Sequence, residues 1–254
     1  MKQLSLITGQ TKEEIAIDFI REHEPPEGYF LGFSGGKDSV VLYDLTVKAG
    51  VTFKTYYSAT GIDPPEVVRF INEHYPDVIH KHPEKSFFAY IPEKGYPGKW
   101  SRWCCDKLKK HPTKHIPLGK RLMGIRAEES FKRSKRPMVD KFSKKITIYK
   151  PIFYWLEWEI WDHIDSNHLP YCSLYDEGFD RLGCVICPFI CHGRNGVRLK
   201  MHMNRWPKHY KAFEKAMKKL FDNYLCVVNP RSGGMNYRRE TDFETFLNNW
   251  YKGE

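Results

Sequence analysis

A short glycine-rich segment, Ser34-Gly35-Gly36-Lys37-Asp38-Ser39, constrains the fold of this chain more than any other feature. It follows an apolar run at 29–33 that is typical of a strand buried on both faces, and it precedes residues 40–45, which have helical spacing. Two glycines allow a tight turn whose N–H groups face an anion, and the start of a helix adds partial positive charge. The segment predicts a phosphate site in which Lys37 and the hydroxyls of Ser34 and Ser39 are further donors.

Strands and helices alternate on both sides of this loop. A capping box at 11–14 predicts a helix that runs to about Glu22, and residues 64–74 predict another. Further strands are predicted at 51–57, 78–80, 122–125 and 146–152. Such alternation favours right-handed βαβ units. We therefore predict an α/β domain over 1–165, with a parallel twisted sheet and helices on both faces, then a small Cys-containing, mostly helical part over 166–254.

The distribution of charge points to an anionic partner. The chain has 41 Lys+Arg and 31 Asp+Glu, and residues 194–219 contain nine basic residues and one acid, Glu214. Apolar residues from Tyr210 to Tyr224 have helical spacing, which predicts a helix docked on one side. Its lysines are either a solvated outer face or a nucleic-acid contact. The stretch 132–145, with seven basic residues and one Asp, is too polar for a core, so we expect a loop that either lies over an anion or is simply solvated.

No apolar run reaches the length that spans a bilayer, and the N-terminal residues lack the layout of a secretion signal. We therefore expect a cytoplasmic protein without a membrane partner. Seven cysteines, including the pair Cys104-Cys105 and the pair Cys184-x-x-Cys187, then favour metal or redox chemistry over disulfides.

Five or more motifs in order resemble the phosphoadenosine phosphosulfate (PAPS) reductase family of the PP-loop superfamily, whose members cleave ATP between the α and β phosphates. The similarity covers about residues 27–190. Beyond the phosphate loop it rests on these segments: Thr60-Gly61-Ile62-Asp63-Pro64-Pro65-Glu66, Trp103-Cys104-Cys105, Gly124-Ile125-Arg126-Ala127-Glu128-Glu129-Ser130, Lys150-Pro151-Ile152, Leu174-Tyr175-Asp176-Glu177-Gly178 and Cys184-Val185-Ile186-Cys187-Pro188.

The resemblance and the predicted topology together suggest a nucleotide site. Ser58 and Gly124 fall at the ends of predicted strands, where a parallel sheet opens its ligand crevice. Arg126 is expected to pair with a phosphate or sulfate. The resemblance implies ATP with Mg²⁺, with Lys37, Asp38 and Arg126 as catalytic candidates and Ser34, Gly35, Gly36, Ser39, Ser58 and Gly124 as further nucleotide-binding candidates.

The cysteine pattern is similar to the [4Fe-4S] site of the adenosine phosphosulfate (APS) reductases, which implies Cys104, Cys105, Cys184 and Cys187 as ligands. In related DNA phosphorothioation enzymes the ligands lie nearer the CxxC pair, which would favour Cys172 or Cys191. Zinc, and thiols without any metal, remain open as alternatives.

The family's reductases carry a catalytic cysteine near their C-terminus, whereas the final residues here, 248–254, contain none and Cys226 has an apolar setting. We therefore expect ATP cleavage that activates an acceptor for sulfur transfer, on nucleic acid as in DNA phosphorothioation or RNA thiolation, with a sulfur donor such as a cysteine desulfurase. A sulfonucleotide reductase that releases sulfite, and a non-catalytic nucleotide- or nucleic-acid-binding protein, are the alternatives.

Overall fold

The computed structural model describes residues 9–99, 101–190, 196–224 and 242–252. These residues form two compact units. The first comprises the described residues of 1–58, 65–81 and 113–182, and the second comprises those of 59–64, 82–112 and 183–254. Each unit therefore draws on separate stretches of the chain, whereas the sequence-based division places a single boundary after residue 165.

The first unit is built around one sheet. Its strands are β1 (Tyr29–Phe33), β2 (Phe53–Ser58), β3 (Ile79–Lys81), β4 (Lys120–Met123), β5 (Val139–Lys141) and β6 (Thr147–Tyr149). They lie in the order β3-β2-β1-β4-β6-β5, and every neighbouring pair is parallel except β5 with β6. The predicted α/β class with a parallel sheet is confirmed, and the antiparallel edge strand β5 is an addition that the sequence did not indicate.

The helices of the first unit are α1 (Lys12–Glu22), α2 (Lys37–Ala49), α3 (Pro65–His74), α5 (Phe131–Ser134) and α6 (Glu157–Ser166). The predicted capping box forms: the Thr11 hydroxyl accepts from the Glu14 N–H, and Glu14 accepts from the Thr11 N–H. Apolar residues of α1, α2 and α6 pack with β1 and β4 in one core. Burial of this apolar face stabilises the helices more than their intrinsic propensity does.

The order in which strands are added to the sheet reverses at β1, and this reversal determines where the phosphate loop lies. After β1 the chain builds outward through β2 and β3, and it then returns to place β4 on the other side of β1. Ligands of open α/β sheets bind beyond the carboxyl ends of the strands at such a switch point. The phosphate loop follows β1, and Gly124 follows β4, so both lie at this position.

The second unit is mostly helical. It contains α4 (Phe87–Lys94), a π-helix (Cys105–Lys110), α7 (Val197–Arg205), α8 (Pro207–Tyr224) and α9 (Phe243–Lys252). The rings of Phe87 and Trp250 pack against Phe213 of α8, with centroids 6.2 and 4.5 Å away. The predicted docked helix is therefore present, and its described lysines lie on the exposed side. None of the described helices combines the length and apolar character needed to cross a bilayer.

Candidate functional site

The phosphate loop begins where β1 ends, and two glycines permit its path. Gly35 has φ +70°, and a Cβ there would lie 2.8 Å from a methyl of Val67. A Cβ on Gly124 would lie 2.9 Å from the backbone carbonyl oxygen of Asp38. Because backbone cannot retract as a side chain can, Gly124 lets the end of β4 lie directly against the start of α2.

Ser39 holds the loop in shape. Its buried hydroxyl donates to the Gly36 carbonyl at 2.7 Å and accepts from the Ser34 N–H at 3.2 Å. The Gly36 N–H points to the Ser34 hydroxyl at 3.4 Å, and Ser34 itself is exposed. The serines expected to bind phosphate thus also set the backbone of the loop, and Ser34 is the one that faces solvent.

Lys37 is buried, with 4% of its surface exposed, and its ammonium has several partners. It donates to the Asp180 carbonyl at 3.0 Å and lies 3.3 Å from a carboxylate oxygen of Glu157. The rings of Tyr175 and Trp161 have their centroids 5.2 and 5.9 Å from the nitrogen. These groups balance the charge of the buried ammonium and fix the orientation of the Lys37 side chain.

Tyr175 also contacts the backbone of the loop. Its hydroxyl accepts from the Lys37 N–H at 2.9 Å, and burial raises the pKa of this phenol. A neutral hydroxyl therefore accepts the hydrogen bond from one of the loop N–H groups that were predicted to bind a phosphate. Tyr175 belongs to a motif that was noted in the sequence without a role.

Arg126 differs from its expected placement as an open anion contact. Its guanidinium, in a residue 2% exposed, bonds to Asp38 through Nε and to Glu128 through Nη1, each at 2.5 Å. Burial alone would lower the pKa of Arg126, but the charge of Asp38 and the bonds to both carboxylates raise it overall. Arg126 therefore fixes Asp38 instead of facing solvent, because a buried guanidinium needs carboxylate partners close by.

The remaining predicted nucleotide contacts lie at the same edge of the sheet. Ser58 ends β2, one residue past the Phe33–Tyr57 pair, as Ser34 is one residue past β1. Beside Lys37, a cavity of about 230 Å³ is lined by Glu157, Trp161, Tyr175, Gly178, Phe179 and Asp180. The first unit thus brings together the predicted loop residues, Arg126, Ser58 and Gly124, and adds aromatic and acidic neighbours that sequence reasoning missed.

Cys104, Cys105, Cys184 and Cys187 are all in the second unit, and each is half-buried. A hydrogen bond between Cys104 and Cys105 raises the pKa of Cys104. The same bond, together with Arg102 and Lys109, lowers the pKa of Cys105 to about 5. Negative charge on Cys184 and Cys187 also raises the pKa of Cys104. The remote CC and CxxC pairs are thus close enough to influence one another.

Cys184 has two polar neighbours that the sequence did not indicate. The Thr60 hydroxyl lies 3.8 Å from its sulfur, and the charge of Cys184 raises the pKa of Lys109. The Asp63 carboxylate accepts from the Thr60 N–H at 2.7 Å, and the Val185 N–H donates to the Ile62 carbonyl at 2.8 Å. Residues 60–63 therefore support the CxxC turn, a role that their sequence alone did not predict.

The donor set decides which metal group these cysteines fit. Within the ranges described, no three Cys, His, Asp or Glu side chains converge closely enough to hold one metal ion. An iron–sulfur cluster binds each thiolate to a different iron, so it accepts sulfurs that are further apart. Four thiolates near Lys109 and Arg102 suit such a cluster chemically, because both cations offset negative charge. Cys172 lies in the other unit and is 1% exposed, and Cys191 is outside the described residues.

The chain is similar in sequence to several known proteins. The chain is 29% identical to the uncharacterized protein MJ0066 of Methanocaldococcus jannaschii, over 84% of this chain and 46% of that one. It is 27% identical to an adenosine 5′-phosphosulfate reductase of Geobacillus kaustophilus, over 65% of this chain and 74% of that protein. The chain spans less than half the length of its two M. jannaschii relatives, 46% and 40%.

Among solved structures, a PAPS reductase from Candida auris in a phosphate complex superposes with a TM-score of 0.53 at 18% identity. The match covers 70% of this chain and 90% of the other, and it shows a shared fold. The family model of the phosphoadenosine phosphosulfate reductase domain matches residues 28–189, a span that includes the phosphate loop, Arg126 and all four cysteines of the CC and CxxC pairs. The chain belongs to the phosphoadenosine phosphosulfate reductase domain family.

Proposed function

We propose that this protein cleaves ATP between the α and β phosphates to adenylate an oxygen atom of an acceptor, which sulfur then replaces. We propose nucleic acid as the acceptor. The observation that carries the proposal is the convergence of Lys37, Asp38 and Arg126 at the switch point of the sheet, on a loop whose serines fix its backbone. This arrangement suits a polyphosphate with a bound metal ion better than it suits a small neutral ligand.

The residues of the loop would assist departure of diphosphate. The loop N–H groups and the Lys37 ammonium neutralise the charge that develops on the leaving phosphates. Asp38 would hold Mg²⁺, since Arg126 fixes one carboxylate oxygen and the side chain keeps 22% of its surface exposed. For Lys37 to reach the phosphates, its bonds to Glu157 and Asp180 must be exchanged for bonds to the nucleotide.

The cysteine group of the second unit is our candidate for the sulfur side of the reaction. Cys104, Cys105, Cys184 and Cys187 would hold a [4Fe-4S] cluster with one thiolate on each iron, and the cluster would supply an electron-transfer group. Lys109 and Thr60 would orient the Cys184 side of the group. A cysteine desulfurase is the donor class we propose. The terminal sulfur of its persulfide would displace AMP from the activated acceptor atom, and a thiol reductant would then cleave the resulting disulfide and leave sulfur on the acceptor. With zinc in place of the cluster, the same cysteines would be structural.

A sulfonucleotide reductase is the second candidate, because the chain is similar to APS reductases such as that of G. kaustophilus. That reaction requires a thiol that attacks the sulfur of the bound nucleotide. Cys172 is buried and Cys226 has an apolar setting in the sequence, so the attacking thiol would be Cys191, which lies outside the described residues.

The two functions separate in one assay. Purified protein is incubated with ATP, APS and PAPS in parallel, each with DNA or RNA present as acceptor, and release of diphosphate is scored against release of sulfite. Our proposal expects diphosphate from ATP, abolished in Asp38→Asn, while Asp162→Asn, on the exposed side of α6, serves as the matched control. Sulfite from APS or PAPS with no diphosphate from ATP would establish the reductase.

Metal content tests the cysteine assignment independently. Protein purified without oxygen should contain iron and sulfide and absorb in the visible range, and Cys184→Ala should lose both. Cys172→Ala, in the other unit, should retain them. If the wild-type protein instead contains one equivalent of zinc, the cysteines bind a structural zinc ion and not a cluster.

A further inference from the structure

Five lysines of the first unit stand on one exposed segment without carboxylate partners. The segment is residues 131–149, which run from the start of α5 to the end of β6. Two of its basic side chains have carboxylates that balance their charge: Arg133 pairs with Glu129, and Arg136 lies 3.3 Å from Asp140. No ion pair involves the five exposed lysines within the part of the chain that the structure describes: Lys132, Lys135, Lys141, Lys144 and Lys145. The segment therefore carries a local excess of positive charge.

Large aromatic side chains are exposed on the same segment and beside it. Phe131 is 76% exposed, and the Lys135 ammonium lies 4.1 Å from the centroid of its ring. Phe142, in the turn between β5 and β6, is 53% exposed, and Tyr154 and Trp158 are 62% and 54% exposed. Exposed rings of this size among lysines are unusual for a merely solvated face, because burying them would gain free energy.

This basic aromatic surface, defined as residues 131–149 with Tyr154 and Trp158, continues from the phosphate site. Trp158 directly follows Glu157, whose carboxylate pairs with Lys37. The Glu128 carboxylate binds Arg126 and accepts from the Glu157 N–H at 2.7 Å. Glu157, which pairs with Lys37, thus lies one position from Trp158, and Glu128, which binds Arg126, lies three positions from Phe131.

We propose that the basic aromatic surface binds a single strand of nucleic acid and leads it to the phosphate site. The lysines contact phosphates, and the exposed rings stack with unpaired bases, which a duplex does not present. This inference rests on the proposed function for the identity of the acceptor. It places the strand on the first unit and not on α8, whose described aromatic residues Tyr210, Phe213 and Phe221 are buried.

The full chain is tested by fluorescence anisotropy with labelled oligo(dT), oligo(U) and a duplex of equal length, at salt concentrations from about 50 to 200 mM. Both single strands, or one of them, should bind more tightly than the duplex. Phe131→Ala should weaken single-strand binding about fivefold to a hundredfold and leave duplex binding unchanged. The double variant Lys144→Ala/Lys145→Ala should lower the salt slope by about 1.4.

The matched control is Lys211→Ala/Lys215→Ala, which removes the same charge from the exposed face of α8. Its binding should equal that of the wild type. Equal losses from the two lysine pairs, or wild-type affinity in Phe131→Ala, would overturn the proposal. Binding to phosphatidylserine vesicles without binding to oligonucleotides would also overturn it and would identify an anionic lipid surface instead.

Diphosphate release distinguishes the two proposals. Diphosphate release from ATP is measured in the wild-type protein with single-stranded and duplex nucleic acid present as acceptors. If the wild-type protein releases diphosphate but binds neither strand, the surface is wrongly assigned and the ATP chemistry stands. If the surface binds a strand and no diphosphate is released, the proposed function fails instead.

Discussion

The phosphate loop and the cysteine group differ in how their charge is compensated. In the first unit, the buried cations Lys37 and Arg126 are each held by carboxylates, namely Glu157 for the first and Asp38 with Glu128 for the second. In the second unit, neighbouring thiols raise the pKa of Cys104, and burial raises that of Cys184 and Cys187. The loop is thus balanced by protein groups, whereas three of the four thiols resist ionisation.

This difference in charge compensation predicts how each site would respond to its ligand. A site balanced by internal ion pairs must exchange partners when a nucleotide arrives, so its residues serve stability and binding at once. A group of thiols with raised pKa values becomes thiolate only when a metal stabilises the negative charge. The first site is therefore expected to be sensitive to single substitutions, and the second to metal supply and pH.

The largest expected effect comes from removing the loop cation. Lys37→Ala should reduce diphosphate release from ATP by about a hundredfold to a thousandfold, because the leaving group loses its main charged donor. A discontinuous diphosphate assay measures this. Lys54→Ala, an exposed lysine of β2, is the control and should retain activity. Wild-type turnover in Lys37→Ala would show that the loop does not contact the leaving group.

A second substitution probes the internal balance directly. Arg126→Ala should lower the free energy of unfolding by about 3 kcal/mol, because two carboxylates lose their buried partner while Glu128 retains some solvent. Urea denaturation measures the change. Arg133→Ala, which breaks the half-exposed pair with Glu129, should cost less than about 1 kcal/mol. Equal losses of unfolding free energy in the two variants would show that the buried ion pairs at the loop are worth no more than an ion pair at the surface.

The cysteine group predicts a difference between neighbouring thiols. In metal-free protein at neutral pH, Cys105 should be alkylated about tenfold faster than Cys104, because only Cys105 is a thiolate there. The pKa of Cys105 is lowered to about 5, so its rate should hold above that pH and fall as pH drops through it. Mass spectrometry after iodoacetamide treatment resolves the two sites.

Two controls accompany that measurement. Arg102→Ala should move the inflection for Cys105 to higher pH, since one of the groups that stabilise the thiolate is lost. Lys110→Ala, on the same π-helix and paired with Asp106, should leave the profile unchanged. Identical pH profiles for Cys104 and Cys105 in the wild-type protein would contradict the assignment.

The smallest effect concerns the phenol at the loop. Tyr175→Phe removes the acceptor of the Lys37 N–H and should lower stability by about 1 kcal/mol without nucleotide. ATP should bind the variant at least as well as the wild type, because a phosphate no longer competes with the hydroxyl. Thermal unfolding with and without ATP measures both. Tyr171→Phe, whose exposed hydroxyl bonds to Asp176, is the control; weaker ATP binding by Tyr175→Phe alone would make Tyr175 a ligand of the nucleotide.

Local signals in the sequence predicted the elements that bear the phosphate site. β1 matches its predicted bounds, and the capping box of α1 forms between residues only three positions apart. Both depend on neighbouring residues, which sequence reasoning handles well. The loop at 34–39 is likewise a local pattern, and its position between β1 and α2 is confirmed.

Features that depend on distant residues were missed. Lys37 meets Tyr175 and Asp180, which are 138 and 143 positions away, and no local pattern encodes such pairs. β5 has only three residues, two of them charged, so it lacks the alternation of a recognisable strand. The π-helix at 105–110 depends on packing and has no composition signal of its own. Thr241-Asp242-Phe243-Glu244 also has the pattern of a capping box. Thr241 lies outside the described residues, and Asp242 accepts from the Thr245 N–H.

The two borders of the sheet have a consequence for behaviour in concentrated solution. β3 and β5 form these borders, and each has three residues that include a lysine. A further chain seeking to extend the sheet would find few backbone groups to pair with and would have to bury an ammonium. Such borders discourage strand-by-strand polymerisation, so the sheet can keep its open crevice at the centre without offering a template for aggregation at its sides.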